Sequence, residues 1–98
     1  MDRWSQFELF VQVAELGSLS RAAEALSLSN AAASRALAAL EQRLGARLVE
    51  RSTRRLGLSR AGEDFYRHCK AALIQMKEAE EQVNAASVAP SGTLRPSA

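Results

Sequence analysis

The apolar residues of this chain recur every three or four positions over four stretches, a spacing that predicts four helices. The first helix should cover about residues 3–15 and stop at Gly17. Its apolar stripe is predicted to comprise Trp4, Phe7, Phe10, Val11 and Ala14. Ser18 or Ser20 should cap a second, short helix that ends near residue 25. The core-facing residues of this second helix are predicted to be Ala22, Ala23 and Leu26.

The third helix is expected to begin after Ser29, its cap, and to end at Gly45. Spacings of 4, 3 and 4 predict that its inward side comprises Ala33, Leu37, Leu40 and Leu44. The opposite side comprises Asn30, Ala31, Ser34, Arg35 and Ala38. Short polar groups and one long cation among methyl groups would let the helix backbone approach DNA base edges and phosphates closely. An ordinary surface helix, rich in alanine because alanine favours helices, is the alternative.

A helix-turn-helix at about residues 19–38 and a short hairpin behind it are predicted together. Apolar runs at 48–50 and 56–58 flank a polar segment, which favours a two-stranded wing. Candidate contacts to sugar-phosphate or the minor groove in this wing are Arg51, Thr53, Arg54 and Arg55. Six arginines and one acid lie between residues 43 and 60, while the net charge is only +2. A solvated basic loop is therefore the alternative.

Ser59 is the expected cap of a long fourth helix that reaches about residue 87. Its apolar positions alternate spacings of 4 and 3, which is typical of a coiled-coil seam, and they are Phe65, Cys69, Ala72, Met76, Ala79, Val83 and Ala86. A rod of roughly 40 Å is too long to bury this seam against so small a body. We therefore expect a homodimer through the seam, parallel or antiparallel, with a helix packed wholly on its own domain as the alternative.

The composition of the chain limits the size of the domain and the classes of site that it can contain. With 98 residues, 47% of them hydrophobic, the chain should form one small globular unit. A single cysteine, Cys69, and a single histidine, His68, fall short of a disulfide or a zinc site, so both are expected to be structural. The sequence contains no long apolar run, no signal peptide, no phosphate loop and no nucleophile with a base. We expect a cytoplasmic, nucleoid-associated protein that is not an enzyme and does not bind a membrane. The aromatic residues lie on core stripes, so a stacking platform for RNA is not expected.

Three segments together resemble the amino-terminal winged helix-turn-helix domain of LysR-type transcriptional regulators. They read FVQVAELGSLSRAAEAL at 10–26, SNAAASRALAALEQRLGARLVER at 29–51 and LSRAG at 58–62, so the resemblance covers nearly the whole chain. It implies that the third helix enters the major groove, with contacts from Asn30, Ala31, Ser34 and Arg35. For the wing it implies contacts from Arg51, Thr53 and Arg54. Family members commonly have glutamine and then proline or serine in place of Asn30 and Ala31, and phenylalanine in place of Val49.

The expected fold is mainly α: a winged helix-turn-helix over residues 1–59, a dimerisation linker helix over 60–88 and a flexible hinge over 89–98. The resemblance implies a sequence-specific regulator that binds double-stranded DNA at an inverted repeat as a dimer, with a tetramer left open for a full-length protein. It also implies a small-molecule effector in a missing carboxyl-terminal domain, and no cofactor in this part. A coiled-coil module whose basic loop binds an acidic protein is the second hypothesis.

Overall fold

The computed structural model describes residues 1–51 and 56–87 as four helices and a two-stranded antiparallel sheet. In chain order the elements are α1 (Arg3–Leu16), α2 (Leu19–Ala25), α3 (Asn30–Leu44), β1 (Val49–Arg51), β2 (Leu56–Leu58) and α4 (Arg60–Ser87). Three helices and a short wing are thus followed by one long helix, and the predicted fold class is confirmed.

Local capping signals set the helix boundaries. Ser18, and not Ser20, is the cap of α2, because its side chain accepts a hydrogen bond from the Arg21 backbone N–H at 3.2 Å. Ser29 caps α3 in the same way, accepting from the Ala32 N–H at 3.0 Å. Two glycines in the left-handed conformation end α1 and α3, Gly17 at φ 66° and Gly45 at φ 69°. These ends were predicted from sequence and are confirmed.

The core surrounds α1 on more than one side, because α2, α3 and α4 all contact it. Leu9 and Val13 have no exposed surface, although the predicted stripe did not include them. Trp4, which the prediction placed on the core stripe, is 38% exposed. The predicted stripe is confirmed at Phe10 and Val11, which are buried, and it is wrong at Trp4. It is also too narrow, since it assumed that the helix buries one face against one neighbour.

The inward side of α3 is mostly as predicted. Ala33, Leu37 and Leu40 are buried, whereas Leu44, at the last position of the helix, is 40% exposed. Ala36 is buried instead, and it extends the packed face towards α1. Leu40 and Leu48 belong to the largest fully buried side chains of the core, together with Leu9, Phe10 and Val13. Across the described residues, no polar or charged side chain is buried.

The wing strands pair antiparallel, with Val49 opposite Leu58 and Arg51 opposite Leu56. The first strand begins at Val49, one residue later than the predicted run, and the Leu48 N–H donates to Glu41 of α3 and not to the opposite strand. The proposed wing contacts Thr53, Arg54 and Arg55 lie outside the described residues.

Only the first half of α4 packs on the body. The Phe65 ring lies 5.8 Å from the Phe7 ring and 5.6 Å from the Phe10 ring, centroid to centroid, and Cys69 is buried beside them. Leu73 is the last residue of α4 that packs against the core. Beyond it, every described side chain of α4 is exposed, up to residue 86. The helix therefore continues for more than three turns beyond its last core residue.

Candidate nucleic-acid interface

The outer face of α3 carries the residues that sequence reasoning assigned to DNA. Asn30, Ala31, Arg35 and Ala38 are exposed, and Ser34 is half-buried at the edge of the face. Arg35 forms no ion pair with any residue in the described part of the chain. A cation surrounded by small side chains on a helix surface has both the room and the charge to reach a phosphate or a guanine edge. The structure brings these residues together on one face, and their contacts remain a prediction.

An open groove of about 670 Å³ lies beside this face, between the amino-terminal half of α1 and α3. Three alanines of α3 line it, Ala32, Ala36 and Ala39, and Arg35 stands at its side. Glu8 lines the opposite wall. Because methyl groups leave space here, the Arg35 side chain is not confined by its neighbours on α3.

The turn of the helix-turn-helix is fixed by backbone hydrogen bonds and two leucines. Ser27 adopts a left-handed conformation at φ 58°, which directs the chain from α2 into α3. The Leu28 N–H donates to the Ala23 carbonyl at 2.8 Å, and the Leu26 N–H donates to the Ala22 carbonyl at 3.1 Å. Leu26 and Leu28 both pack against the core. This arrangement sets the angle between the two helices and hence the presentation of α3.

A carboxylate that sequence reasoning missed connects α3 to the wing. Glu41 Oε2 accepts hydrogen bonds from the backbone N–H groups of Leu48 at 2.7 Å and Val49 at 3.0 Å. Glu41 lies in the last turn of α3, and its partners follow the reversal of the chain at Gly45. In the sequence, only the position of Glu41 one turn before the glycine cap could have indicated that its side chain reaches the residues after the turn.

A close approach between α4 and the wing occurs at Gly62. The Ser59 N–H donates to the Leu48 carbonyl at 2.9 Å, and the Ser59 side chain accepts from the Gly62 N–H at 2.9 Å, which caps α4. A Cβ atom on Gly62 would lie 2.0 Å from the Leu48 carbonyl oxygen. Only glycine fits there, so the first turn of α4 lies directly on the backbone that leads into β1.

Arg43, the first of the six clustered arginines, has a partner inside the domain. Arg43 Nη2 donates to Gln6 Oε1 at 2.6 Å, and its guanidinium carbon lies 5.9 Å from the centre of the Phe7 ring. Arg43 therefore joins α3 to α1. Arg47 and Arg60 are exposed beside the wing.

A polar cluster joins α1 to α4 on the other side of the body. Glu15 Oε2 accepts from the Tyr66 hydroxyl at 2.8 Å and lies 2.5 Å from Lys70 Nζ. The hydrogen bond from Lys70, and then that from Tyr66, lowers the pKa of Glu15. The same contact with Glu15 raises the pKa of Lys70. The cluster favours the charged pair and links the end of α1 to α4 at the surface.

The predicted dimerisation seam divides into two parts. Phe65 and Cys69 face the core of their own subunit, so they are covered before any partner arrives. The exposed part comprises Ala72, Met76, Ala79 and Val83, with Met76 48% and Val83 67% exposed. A partner helix would therefore meet the distal part of the seam. Dimerisation itself remains a prediction.

Burial raises the pKa of the Cys69 thiol to about 11. At pH 8 this lowers the fraction of thiolate, the form that alkylating reagents attack, about a hundredfold. We therefore expect native Cys69 to react much more slowly than the same cysteine in the unfolded chain. The rate with iodoacetamide at pH 8, measured in buffer and in urea by mass spectrometry, tests this expectation. Equal rates in the two solutions would contradict it.

Residues 1–51 and 56–87 contain neither a metal-binding cluster nor a membrane-spanning helix. No group of three or more histidine, cysteine, aspartate or glutamate side chains is placed to hold a metal ion. Within the same ranges, none of the helices combines the length and apolar character that crossing a membrane requires.

Comparison with known proteins gives concordant matches. Residues 4–63 match the family model described as bacterial regulatory helix-turn-helix protein, lysR family. The HTH-type transcriptional regulator CrgA of Neisseria meningitidis serogroup C is 42% identical over 92% of this chain and 30% of its own length. The HTH-type transcriptional activator AaeR of Escherichia coli K12 is 37% identical over 97% of this chain and 31% of its own. The chain thus spans less than a third of the length of these relatives.

This chain is also similar to a protein whose structure was solved with bound DNA, and the similarity covers almost the full length of both chains. The BenM DNA-binding domain in complex with the catB site 1 DNA superimposes with a TM-score of 0.83 at 26% identity. The match covers 91% of this chain and 98% of that one.

Proposed function

Because this chain belongs to the lysR family of bacterial regulatory helix-turn-helix proteins, we propose that it recognises a specific double-stranded DNA sequence for a transcriptional regulator. The relatives it matches carry the names of transcriptional regulators, which are not enzymes. The observation that carries the proposal is the outer face of α3, where Asn30 and Arg35 are exposed among alanines.

In this proposal α3 lies in the major groove with its first two turns nearest the bases. Arg35 offers a planar guanidinium that pairs with the O6 and N7 atoms of guanine, and it is our candidate for a base contact. Asn30 and Ser34 add short hydrogen-bonding groups next to it. Ala31 contributes no bulk, so the helix backbone approaches the groove closely. Asn30 is shorter than the glutamine common in the family, which limits its reach to the base edge.

The wing is proposed to contact the flanking minor groove or its sugar-phosphate backbone. The proposed contacts are Arg51, the last residue of β1, and Thr53, Arg54 and Arg55, which follow it in the sequence. Contacts of this kind position a protein on DNA without reading its sequence. They account for affinity that depends on salt and is shared by all duplexes.

Two copies are proposed to pair through Ala72, Met76, Ala79 and Val83 of α4. A dimer with twofold symmetry presents two α3 helices and hence reads an inverted repeat. Effector binding and assembly beyond the dimer are proposed to reside in the rest of a longer regulator, since the chain matches less than a third of its relatives. Binding to chromosomal DNA implies a cytoplasmic location.

Replacing Arg35 with alanine tests the proposal most directly. We expect the variant to lose about 1–3 kcal/mol of binding free energy on the preferred site and to lose preference at one base pair. The measurement is a fluorescence-anisotropy titration at two salt concentrations, with the site that the unaltered chain selects from a random duplex pool and with single-base-pair variants of it.

Arg67→Ala serves as the control, because Arg67 is an exposed arginine on α4 that pairs with Asp64. It removes the same charge without touching α3, so base preference should be retained. Sequence preference that persists in Arg35→Ala would rule out the role assigned to Arg35. If the unaltered chain selects no sequence at all, the proposed function is wrong, and a basic loop that binds an acidic protein would account for the arginines instead.

A further inference from the structure

The backbone at the start of β1 is held between the end of α3 and the start of α4. The N–H groups of Leu48 and Val49 donate to Glu41 of α3, while the Leu48 carbonyl accepts from the Ser59 N–H ahead of α4. The Ser59 hydroxyl also donates to the Arg47 carbonyl. The wing is therefore fastened at its base to two helices, and Glu41 is the side chain that provides the link to α3.

The Glu41 carboxylate cannot be replaced by solvent without cost. Leu48 and Val49 are 2% and 3% exposed, so their N–H groups have little access to water. A backbone donor that loses its acceptor in such a place is left unsatisfied. Hydrogen bonds to a carboxylate are also stronger than those to a neutral oxygen.

A two-stranded hairpin has little stability of its own, so its orientation depends on what holds its base. The wing has strands of three residues each. Glu41 lies six residues after Arg35 on the same helix, about 9 Å along its axis. One rigid element thus carries both the proposed base contact and the attachment of the wing.

We propose that Glu41 is a positioning residue for DNA recognition, which holds the wing at a fixed distance and angle from α3 so that both contact one duplex together. This inference rests on the proposed function. Without Glu41 the wing would still be paired, because the β1–β2 ladder is independent of this side chain. Its attachment to α3 through Glu41 would be lost, so the angle between the wing and α3 would be less tightly held and simultaneous contact would become less favourable.

The test compares Glu41→Gln and Glu41→Ala on the duplex that the unaltered chain selects from a random pool. Glutamine keeps an oxygen acceptor but loses the charge, and alanine loses both, so the effects should be graded. Hydroxyl-radical protection reports contact along the minor groove, and dimethyl sulfate protection of guanine N7 reports contact in the major groove. We expect the flanking minor-groove protection to be weaker in Glu41→Gln than in the unaltered chain and weakest in Glu41→Ala. The major-groove protection should remain in both variants. Affinity should fall about tenfold for Glu41→Ala.

Glu50→Gln is the matched control, since Glu50 is an exposed carboxylate on β1 and the change removes the same charge as Glu41→Gln. Removal of a negative charge alone leaves binding to DNA equal or tighter. Circular dichroism shows whether each variant keeps its helices. The amide proton shifts of Leu48 and Val49 show whether it has lost the hydrogen bonds to residue 41. The two shifts should move upfield in Glu41→Gln.

The two kinds of protection decide whether Glu41 positions the wing. Minor-groove protection that is unchanged in Glu41→Ala would overturn this role. Equal loss of both kinds of protection would overturn it too, because it would show that Glu41 only stabilises the fold. If the unaltered chain selects no duplex, the proposed function fails and this inference fails with it, whereas a failure confined to the Glu41 variants leaves the proposed function intact.

Discussion

Alanine at position 62 is expected to destabilise the domain by about 3 kcal/mol, because the added methyl group has nowhere to go. Its Cβ would lie 2.0 Å from the Leu48 carbonyl oxygen and 2.9 Å from the Leu48 carbonyl carbon. Both are backbone atoms, so no side-chain rotation relieves the overlap. Either α4 must move away from the wing or the base of β1 must shift, and both responses break the hydrogen bond from the Ser59 N–H to Leu48.

Thermal unfolding followed by circular dichroism measures this effect. For a domain of this size, the expected loss corresponds to a fall in Tm of roughly 10–20 °C. Gly57→Ala is the control, because a Cβ at Gly57 meets no atom within 4 Å. If Gly62→Ala melted at the same temperature as Gly57→Ala, the close approach of α4 to Leu48 would not exist in solution.

Met76→Glu is expected to abolish the proposed dimer and leave a monomer. Met76 is 48% exposed on a single chain and lies between Ala72 and Ala79 in the exposed part of the seam. In a dimer it would be covered by the partner, and a carboxylate there would lose its water without gaining a cation. Loss of pairing also removes the gain from binding two half-sites at once, which is commonly a factor of about 10²–10⁴.

Sedimentation equilibrium gives the mass, and titration against a full inverted repeat and a single half-site gives the two affinities. We expect Met76→Glu to bind the half-site as the unaltered chain does and to lose its advantage on the full site. Ala71→Glu is the matched control, since it adds a carboxylate at an exposed position that lies about 120° around α4 from the seam. A dimer mass retained by Met76→Glu would show that this seam is not the interface.

Features that depend on neighbours in the chain were predictable from the sequence. Ser29 and Gly45 mark the ends of α3 through contacts within one turn, so their residue types alone indicate a cap. The outer face of α3 followed from helical periodicity in the same way. Strand positions were predicted to within one residue although the runs are short.

Features that depend on packing between distant segments were not predictable. Leu9 and Val13 are fully buried because α2, α3 and α4 enclose α1, and no single helical stripe contains that information. Glu41 resembles any glutamate near a helix end until the chain reverses and brings two N–H groups to it. Cys69 has the seam spacing, yet the tertiary fold buries it in its own subunit.

Because α4 is one continuous helix from Arg60 to Ser87, the number of residues it contains sets where its distal half points. Each residue inserted into a helix turns everything beyond it by about 100° and moves it by about 1.5 Å. One extra residue after Leu73 would therefore rotate Met76 and Val83 away from their present direction relative to α3. An insertion of seven residues would restore that direction to within about 20° and move the distal seam about 10 Å further from the DNA-reading face. Substitutions on the exposed surface of α4 outside the seam should thus be tolerated far better than changes in its length.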